Sequence, residues 1–225
     1  TVAHAIMQEN VENPNRKIKC ISVQIPEIVQ PISKANKEYI EYLREENIKP
    51  IITEIGKERI RRAGEKIIQD NPGTKVDIGF KVFRVADTNI KWNSLINVGQ
   101  LSYEQIETNP DQIDFMPDTS DIDIVYEMML RQRDVPLSES LEQLTDIGNR
   151  TYLYADSFLV CLETEITADL ISKLAELDPL PIKFIFRDSA FKDDIALKDE
   201  TFRRLKALVE KNAGANKPTY TVEFI

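Results

Sequence analysis

One short stretch, K-I-K-C-I-S-V-Q-I-P-E over residues 17–27, most constrains what this chain can fold into. Ile18, Cys20, Ile21, Val23 and Ile25 form a dense apolar run, the length of a strand covered on both faces. Pro26 stops that strand, and Glu27 stands just past its end. Before it, Ala3, Ile6 and Met7 share one helical face, with Gln8, Glu9 and Asn10 outside it. Asn13-Pro14-Asn15 breaks this helix, because proline cannot continue the ladder and asparagine favours turns. A helix leading into a buried strand that ends in an acid is an α/β pattern, and in nucleotide-binding α/β folds an acid so placed hydrogen-bonds a ribose diol.

The same fold needs a glycine-rich turn before its first helix, so that backbone can approach a cofactor. Thr1 already stands at the mouth of the helix, so the sequence reads as cut from a longer chain just after that turn.

Further along, Ser33 is placed to cap a helix to about Asn47 with Tyr39, Ile40 and Leu43 inward. A second helix over about 52–69 carries Ile52, Ile55, Ile60, Ala63 and Ile67 near the 3.6 period. Its outer face alternates in sign and offers Glu58–Arg62 and Arg61–Glu65 as pairs four residues apart. After the Asn71-Pro72-Gly73 turn, Val76, Ile78, Phe80 and Val82 alternate with Asp77 and Lys81. That predicts a half-exposed strand with Gly79 at a bulge.

The net charge of −9 hides an asymmetry. Residues 1–92 hold 16 Lys+Arg against 13 Asp+Glu, a balance of +3, and residues 93–225 hold 13 against 25, a balance of −12. Neutralising phosphates takes Lys and Arg, so the second half is a poor surface for a duplex and a better acidic protein-contact module. Hydrophobic content of 42% and charged content of 30% suit a soluble globular chain, and no apolar run approaches the ~20 residues of a membrane span.

The predicted division is 1–92, a linker with a short helix over 93–117, and 118–225. Ser102 and Gln105 suggest a capping box in the linker. From Asp118 a helix is expected with Ile122, Val125, Tyr126, Met129 and Leu130 on one face, and a shorter one from Ser138 with Leu141 and Leu144 buried. The row Met128, Met129, Leu130 is wider than one core stripe and marks a candidate contact surface. T-Y-L-Y-A, Asp156-Ser157 and F-L-V-C-L-E read as a β-hairpin. Thr167 caps a helix with Leu170, Ile171, Leu174 and Leu177 on one side, and I-K-F-I-F is a short buried strand. Phe202, Leu205, Leu208 and Val209 line another helix ended by Gly214, and Y-T-V-E-F-I is a last strand at a sheet edge.

Among groups that could carry chemistry, the Lys57, Arg59, Arg61, Arg62, Lys66 cluster could touch phosphate, although its interleaved glutamates make a solvated helix face the stronger reading. Asp188, Asp193 and Asp194 lack the alternating spacing of a calcium loop and suit loop capping. Cys20 and Cys161 both lie in apolar strand-like runs and read as buried reduced thiols, and with one histidine and no Cys-x-x-Cys a zinc site is not expected.

T-V-A-H-A-I-M-Q-E-N and N-R-K-I-K-C-I-S-V-Q-I-P-E together resemble the modification subunit of type III restriction–modification systems, an adenine-N6 DNA methyltransferase. The likeness continues in I-G-K-E-R-I-R-R-A-G-E-K-I, D-I-G-F-K-V-F, D-T-N-I-K-W and D-S-A-F-K-D-D. In that family a Phe-x-Gly-x-Gly cofactor loop runs into a Thr-x-Ala-His-Ala-x-Met-Gln helix. The resemblance implies that residues 1–92 are the C-terminal part of a doubly wound, Rossmann-like sheet, followed by a small α/β assembly domain. It implies S-adenosylmethionine as cofactor, and DNA, a second modification subunit and a restriction subunit as partners, in the cytoplasm. Glu27 and Gln24 compete for the ribose position, Gln24 matching the family's strand-ending acid better in place. Thr1 and His4 lie beside the expected glycine loop. His4 suits a packed or supporting role better than a catalytic base, since no nucleophile or carboxylate is placed beside it. The glycine loop and the family's Asp-Pro-Pro-Tyr motif do not occur in these 225 residues, so the fragment is expected to be inactive by itself. The alternative is a non-enzymatic module that dimerises or docks a partner.

Overall fold

The computed structural model describes residues 2–92, 109–133, 135–192, 194–213 and 218–225. Thr1, the expected helix over 101–107 with Ser102 and Gln105, Asp193 and Gly214 lie outside the described residues. The chain is mixed α/β and forms two compact units, Thr1–Val82 and Phe83–Ile225. Residues 83–92, grouped with the first part on sequence, fall in the second unit. Among the described residues no helix is long and apolar enough to cross a membrane.

The first unit holds three helices, α1 (Val2–Glu12), α2 (Lys34–Glu45) and α3 (Ile52–Asp70). Ser33 caps α2 by accepting from the Asn36 N–H at 3.1 Å. The helix ends at Glu45, close to the expected Asn47. Asn47 turns into the left-handed region (φ 56°), and the Asn47 and Ile48 N–H groups return to the Arg44 and Leu43 carbonyls. Asn71 closes α3, its backbone and side-chain N–H groups both donating to the Ile67 carbonyl, and Gly73 takes the positive φ (86°) of the turn that follows. Met7, Ile40, Leu43, Ala63 and Ile67 form the buried centre.

The two strands expected in this unit do not form. Residues 17–25 and 76–85 enter no sheet, and an isolated bridge between Ile28 and Ile51 is the β pairing of this region among the described residues. The physical reason is pairing: a strand needs a neighbour for its N–H and C=O groups, and here none is alongside. Ile21 is 95% exposed and Val23 92%. Cys20 is exposed as well, correcting its assignment to a core. Gly79 is no bulge. Its N–H simply meets the Asp77 carboxylate at 2.8 Å. Val76 and Ile78 are half-buried, and Ile78 rests on α3 where a Cβ at Gly64 would stand 3.0 Å from the Ile78 Cβ.

The second unit is built on a five-stranded sheet in the order β1-β2-β3-β4-β5 (Leu141–Gln143, Thr151–Tyr154, Phe158–Cys161, Lys183–Phe186, Thr221–Phe224). β1, β2 and β3 are antiparallel, and β3, β4 and β5 are parallel. The β2–β3 hairpin turns through Ala155 and Asp156, both at positive φ (52° and 51°), with the Ser157 N–H on the Tyr154 carbonyl. That primed geometry matches the twist of paired strands. Helices α6 (Ala168–Leu174) and α7 (Ile195–Ala213) make the two parallel crossovers and cover one face with Leu170, Ile171, Leu174, Leu205 and Val209. Leu159, Cys161, Phe184 and Phe186 meet them there. Val160 and Ile185, one residue out of phase, point to the other face and meet α5 (Asp121–Arg131).

Three expectations change here. The residues after Ser138 are strand β1, paired from Leu141↔Tyr154 to Gln143↔Tyr152, because ladder pairing at the hairpin edge outweighs a weak helical spacing. On α5 the buried face is Ile124, Val125, Met128 and Met129, with Ile122 and Leu130 exposed. Both methionines are 0% exposed, so they fill the core under the sheet and present no contact surface. The strand at the chain's end is at a sheet edge as expected.

A polar cluster fastens this unit. Arg187 follows β4 directly and is 0% exposed. Its guanidinium donates to Asp114 at 2.5 Å, Asp111 at 2.6 Å, the Pro110 carbonyl at 2.6 Å and Ser189 at 2.9 Å. Asp111 and Asp114 bound the one-turn helix α4 (Asp111–Asp114). Asp111 also accepts from Arg150 (2.8 Å), which forks onto Asp121 at the start of α5 (2.9 and 2.5 Å). Among the described residues no buried side-chain polar atom lacks a partner.

Breaking a buried pair strands the other charge, so Arg187→Met is expected to cost about 3–5 kcal/mol. The exposed Arg203→Ala on α7 should stay within about 0.5 kcal/mol. Urea unfolding of the full chain followed by circular dichroism measures both. Burial pushes the Asp111 carboxyl up, but Arg150 and Arg187 outweigh it and hold the group below the ordinary carboxylate range. With the folded value the lower one, the stabilisation is present above the unfolded value of about 3.9 and is lost as pH falls through the folded value. Asp111→Asn should therefore flatten the loss of stability below about pH 4. An unchanged acid slope in urea titrations of this variant would count against the assignment.

Candidate functional site

The structure spreads the sequence-predicted residues along α3. Glu27 has an exposed side chain, while its carbonyl accepts from the Ile52 N–H at 2.9 Å, placing it at the amino end of α3. The Ile28–Ile51 bridge and the Val29 N–H on the Pro50 carbonyl hold that junction. Gln24 is exposed, its amide turned back onto the Ile25 carbonyl at 3.1 Å. His4, half-buried on α1, lines a depression with Arg59, Arg62, Ala63 and Lys66 of α3. At ~1.5 Å rise per residue these α3 positions lie roughly 10–20 Å along the axis from the residue that Glu27 touches. His4 is thus not brought together with Glu27.

The depression has a volume of about 240 Å³. It is open because α3 presents a small residue, Ala63, between longer ones at helical neighbours. Arg62 is fixed in place, its Nε on Glu58 at 2.8 Å, its Nη2 hydrogen-bonded to the Tyr42 hydroxyl and its guanidinium 5.3 Å from the Tyr42 ring centre. The hydrogen bond from Arg62 holds the Glu58 carboxyl below its usual range. Arg61 reaches the same Glu58 at 3.5 Å, where Glu65 was the expected partner. Lys57 pairs with Glu54 at 2.6 Å. The glutamates of α3 therefore compensate part of the basic cluster, as its spacing suggests, but no acidic residue lines the depression itself.

In the second unit, the carboxyl ends of the parallel strands are where ligands of α/β sheets commonly bind. Here that end is occupied by the protein's own side chains. Glu163, just past β3, accepts from the Arg150 N–H at 2.6 Å and from Thr151 at 3.3 Å. Arg187 follows β4, and the Asp188 N–H donates to the Ile225 carbonyl. Burial, then the neighbouring Asp121, pushes the Tyr152 hydroxyl up to about 12, so it stays protonated and donates to Asp121 at 3.1 Å. Asp194 caps the start of α7 through the Leu197 N–H at 2.9 Å, as loop capping predicts, whereas Asp188 forms an ion pair with Lys198. No group of three or more His, Cys, Asp or Glu side chains is arranged for a metal among the described residues. The Arg187–Asp111–Arg150 network was missed on sequence. Its one signal is an arginine set directly after the apolar run F-I-F.

Compared with known proteins, the chain matches no family model, no curated protein and no solved structure.

The two thiols report on the two units. Cys20 is exposed in the segment that carries Gln24 and Glu27, whereas Cys161 is buried and its thiol is pushed up to about 11 by burial. A thiol reagent near pH 8 should label Cys20 rapidly and Cys161 only after unfolding, since the thiolate is the reacting form. Labelling of one equivalent in native protein, removed by Cys20→Ser, is the expected result.

Proposed function

We propose that this chain is the C-terminal part of a site-specific adenine-N6 DNA methyltransferase, of the type III modification-subunit kind. Residues 1–92 supply half of a doubly wound cofactor fold and residues 118–225 supply subunit assembly. The observation that carries this reading is the exposure of segments 17–25 and 76–85. Each has the composition of a sheet strand, yet Ile21, Val23, Ile25 and Val85 stand in water. Burying such a side chain is worth about 1.5–3 kcal/mol, so these segments suit a larger sheet whose remaining strands come from further polypeptide. With those strands added, the 17–25 segment becomes an inner strand and Glu27, or Gln24, comes to its carboxyl end. There a carboxylate or amide can hydrogen-bond the ribose diol of S-adenosylmethionine. Thr1 and His4 then adjoin the Phe-x-Gly-x-Gly loop. The Asp-Pro-Pro-Tyr motif would hold an adenine flipped out of the duplex for attack on the methyl group. A second modification subunit, a restriction subunit and a cytoplasmic setting go with this reading.

The other reading is a non-enzymatic docking module. The edge position of β5 favours it, since an unpaired strand edge can accept another strand.

One experiment separates them. The coding sequence upstream of Thr1 should encode both motifs, and the joined protein should label adenine in duplex DNA from radiolabelled S-adenosylmethionine. The 225-residue chain by itself should give background counts and bind the cofactor weakly, because one or two hydrogen bonds of about 0.5–1.5 kcal/mol do not offset immobilising it. Amides 17–25 and 76–85 should exchange with solvent rapidly in the short chain and slowly in the joined one. Absence of the motifs, or unchanged exchange, would leave the docking reading standing.

A further inference from the structure

We infer that Asn10 is a positioning residue: it sets the register of the 17–25 segment and, through it, the face on which Gln24 stands. Asn10 lies in the last turn of α1, on the side of the helix shared by Ala3 and the buried Met7, at i, i+4 and i+7. Its carboxamide oxygen accepts from the Ile18 N–H at 2.9 Å, and its amide donates to the Ile18 carbonyl at 3.0 Å. One side chain thus exchanges both main-chain bonds with one residue, as a residue of an antiparallel neighbour does. Glu9, beside it, closes the turn in between, accepting from the Asn13 side chain at 3.0 Å and from Arg16 at 3.1 Å.

The far end of the segment is held as well. The Glu27 carbonyl accepts from the Ile52 N–H and the Val29 N–H donates to the Pro50 carbonyl, both at 2.9 Å. Between these two attachments the chain enters no sheet, and Ile21 and Val23 stand in water. A stretch fixed at both ends is ordered ahead of pairing, so less freedom is lost when a strand joins it. The α3 junction does not fix the register, because the Glu27 N–H folds back onto the Ile25 carbonyl at 2.9 Å in a tight turn that separates the two. Register therefore comes from Asn10. Side chains alternate along a strand, so with Ile18 fixed, Cys20, Ser22 and Gln24 share its face and Ile21, Val23 and Ile25 share the other. A slip of one residue exchanges the two sets and turns Gln24 away from its place. A carboxamide suits this task because it offers a donor and an acceptor side by side, whereas aspartate offers acceptors alone and leucine neither. The part Gln24 plays at a ribose rests on the methyltransferase reading, and the attachment at Ile18 does not.

The first measurement uses the 225-residue chain with a nitroxide on Cys20, the exposed thiol two residues from Ile18. Asn10→Leu should raise the mobility of the nitroxide and speed exchange of the Ile18 amide, the slow one of its segment in the parent, roughly three- to tenfold. Asn10→Asp, which keeps the acceptor alone, should fall between parent and Asn10→Leu. Arg203→Ala on α7 should change neither readout. The second measurement uses the protein joined to its upstream sequence. There Asn10→Leu should raise KM for S-adenosylmethionine about fivefold with kcat held within about twofold, because binding and not chemistry depends on Gln24. In a Gln24→Ala background the same change should raise KM no further, the two residues acting as one unit. Unchanged nitroxide mobility and Ile18 exchange in Asn10→Leu would overturn the register role. A KM rise that persists in full beside Gln24→Ala, or a fall in kcat that matches it, would reduce Asn10 to a general structural residue and overturn the positioning of Gln24. A joined protein without methyl transfer counts against the methyltransferase reading, and the register role is then decided by the Cys20 and Ile18 readouts.

Discussion

A guanidinium with no access to water must find every hydrogen-bond partner inside the protein, and the second unit is arranged round that demand at Arg187. Its partners come from the Pro110 carbonyl, Asp111, Asp114 and Ser189, so charge holds the one-turn helix α4 against the end of β4, beside the apolar packing of Phe115. Asp111 hands the constraint to Arg150, and Arg150 passes it to Asp121 at the start of α5. The helix that covers one sheet face is thereby pinned to the same cluster that closes the strand ends. The Phe115 ring, 5.0 Å from the Arg187 guanidinium carbon, shields the cluster further.

That arrangement explains why the second unit reads as a scaffold. The carboxyl ends of parallel strands in an α/β sheet expose backbone and loop groups that other proteins use for ligands. Here Arg187, Glu163, Arg150 and the aspartates satisfy one another, and no buried side-chain polar atom is left over among the described residues. A fully satisfied network rigidifies its surroundings but has nothing spare to offer a substrate. The first unit is the opposite case. It leaves apolar side chains in water over 17–25 and at Phe80 and Val82, and lines a hollow beside α1 with Arg59, Arg62 and Lys66.

How much of this was legible in the sequence follows from how local each signal is. Ser33 and Thr167 mark helix starts because a cap needs only its own next three residues. Strands β2, β3 and β4 were visible because short apolar runs and a turn read at Asp156-Ser157, one residue from the observed Ala155–Asp156, fix them nearly by themselves. β1 was hidden, since Leu141 to Gln143 become a strand only through β2, and their own spacing suits a helix equally. Segment 17–25 shows the reverse: its composition announces a strand, yet composition cannot provide the neighbour that completes one. The methionines of α5 misled because a helix under a wide sheet buries a broader face than a surface helix does. Met128 and Met129 sit side by side in the core. Arg187 was beyond reach for the same reason as β1, its acidic partners lying more than seventy positions away.

The candidate site was only half legible, and the missing half is geometric. Periodicity placed Lys57, Arg59, Arg61, Arg62 and Lys66 on one helix and showed glutamates among them, which argues for a solvated face. It could not say which cation each glutamate would take. Glu58 turns toward Arg61 and Arg62, and Glu54 toward Lys57. Had Glu65 drawn Arg61 as its spacing allowed, the charge left on α3 would be distributed differently. The recess at Ala63, opposite His4, matters as much as the count of charges, because a cation on a convex face is screened by water and salt on every side.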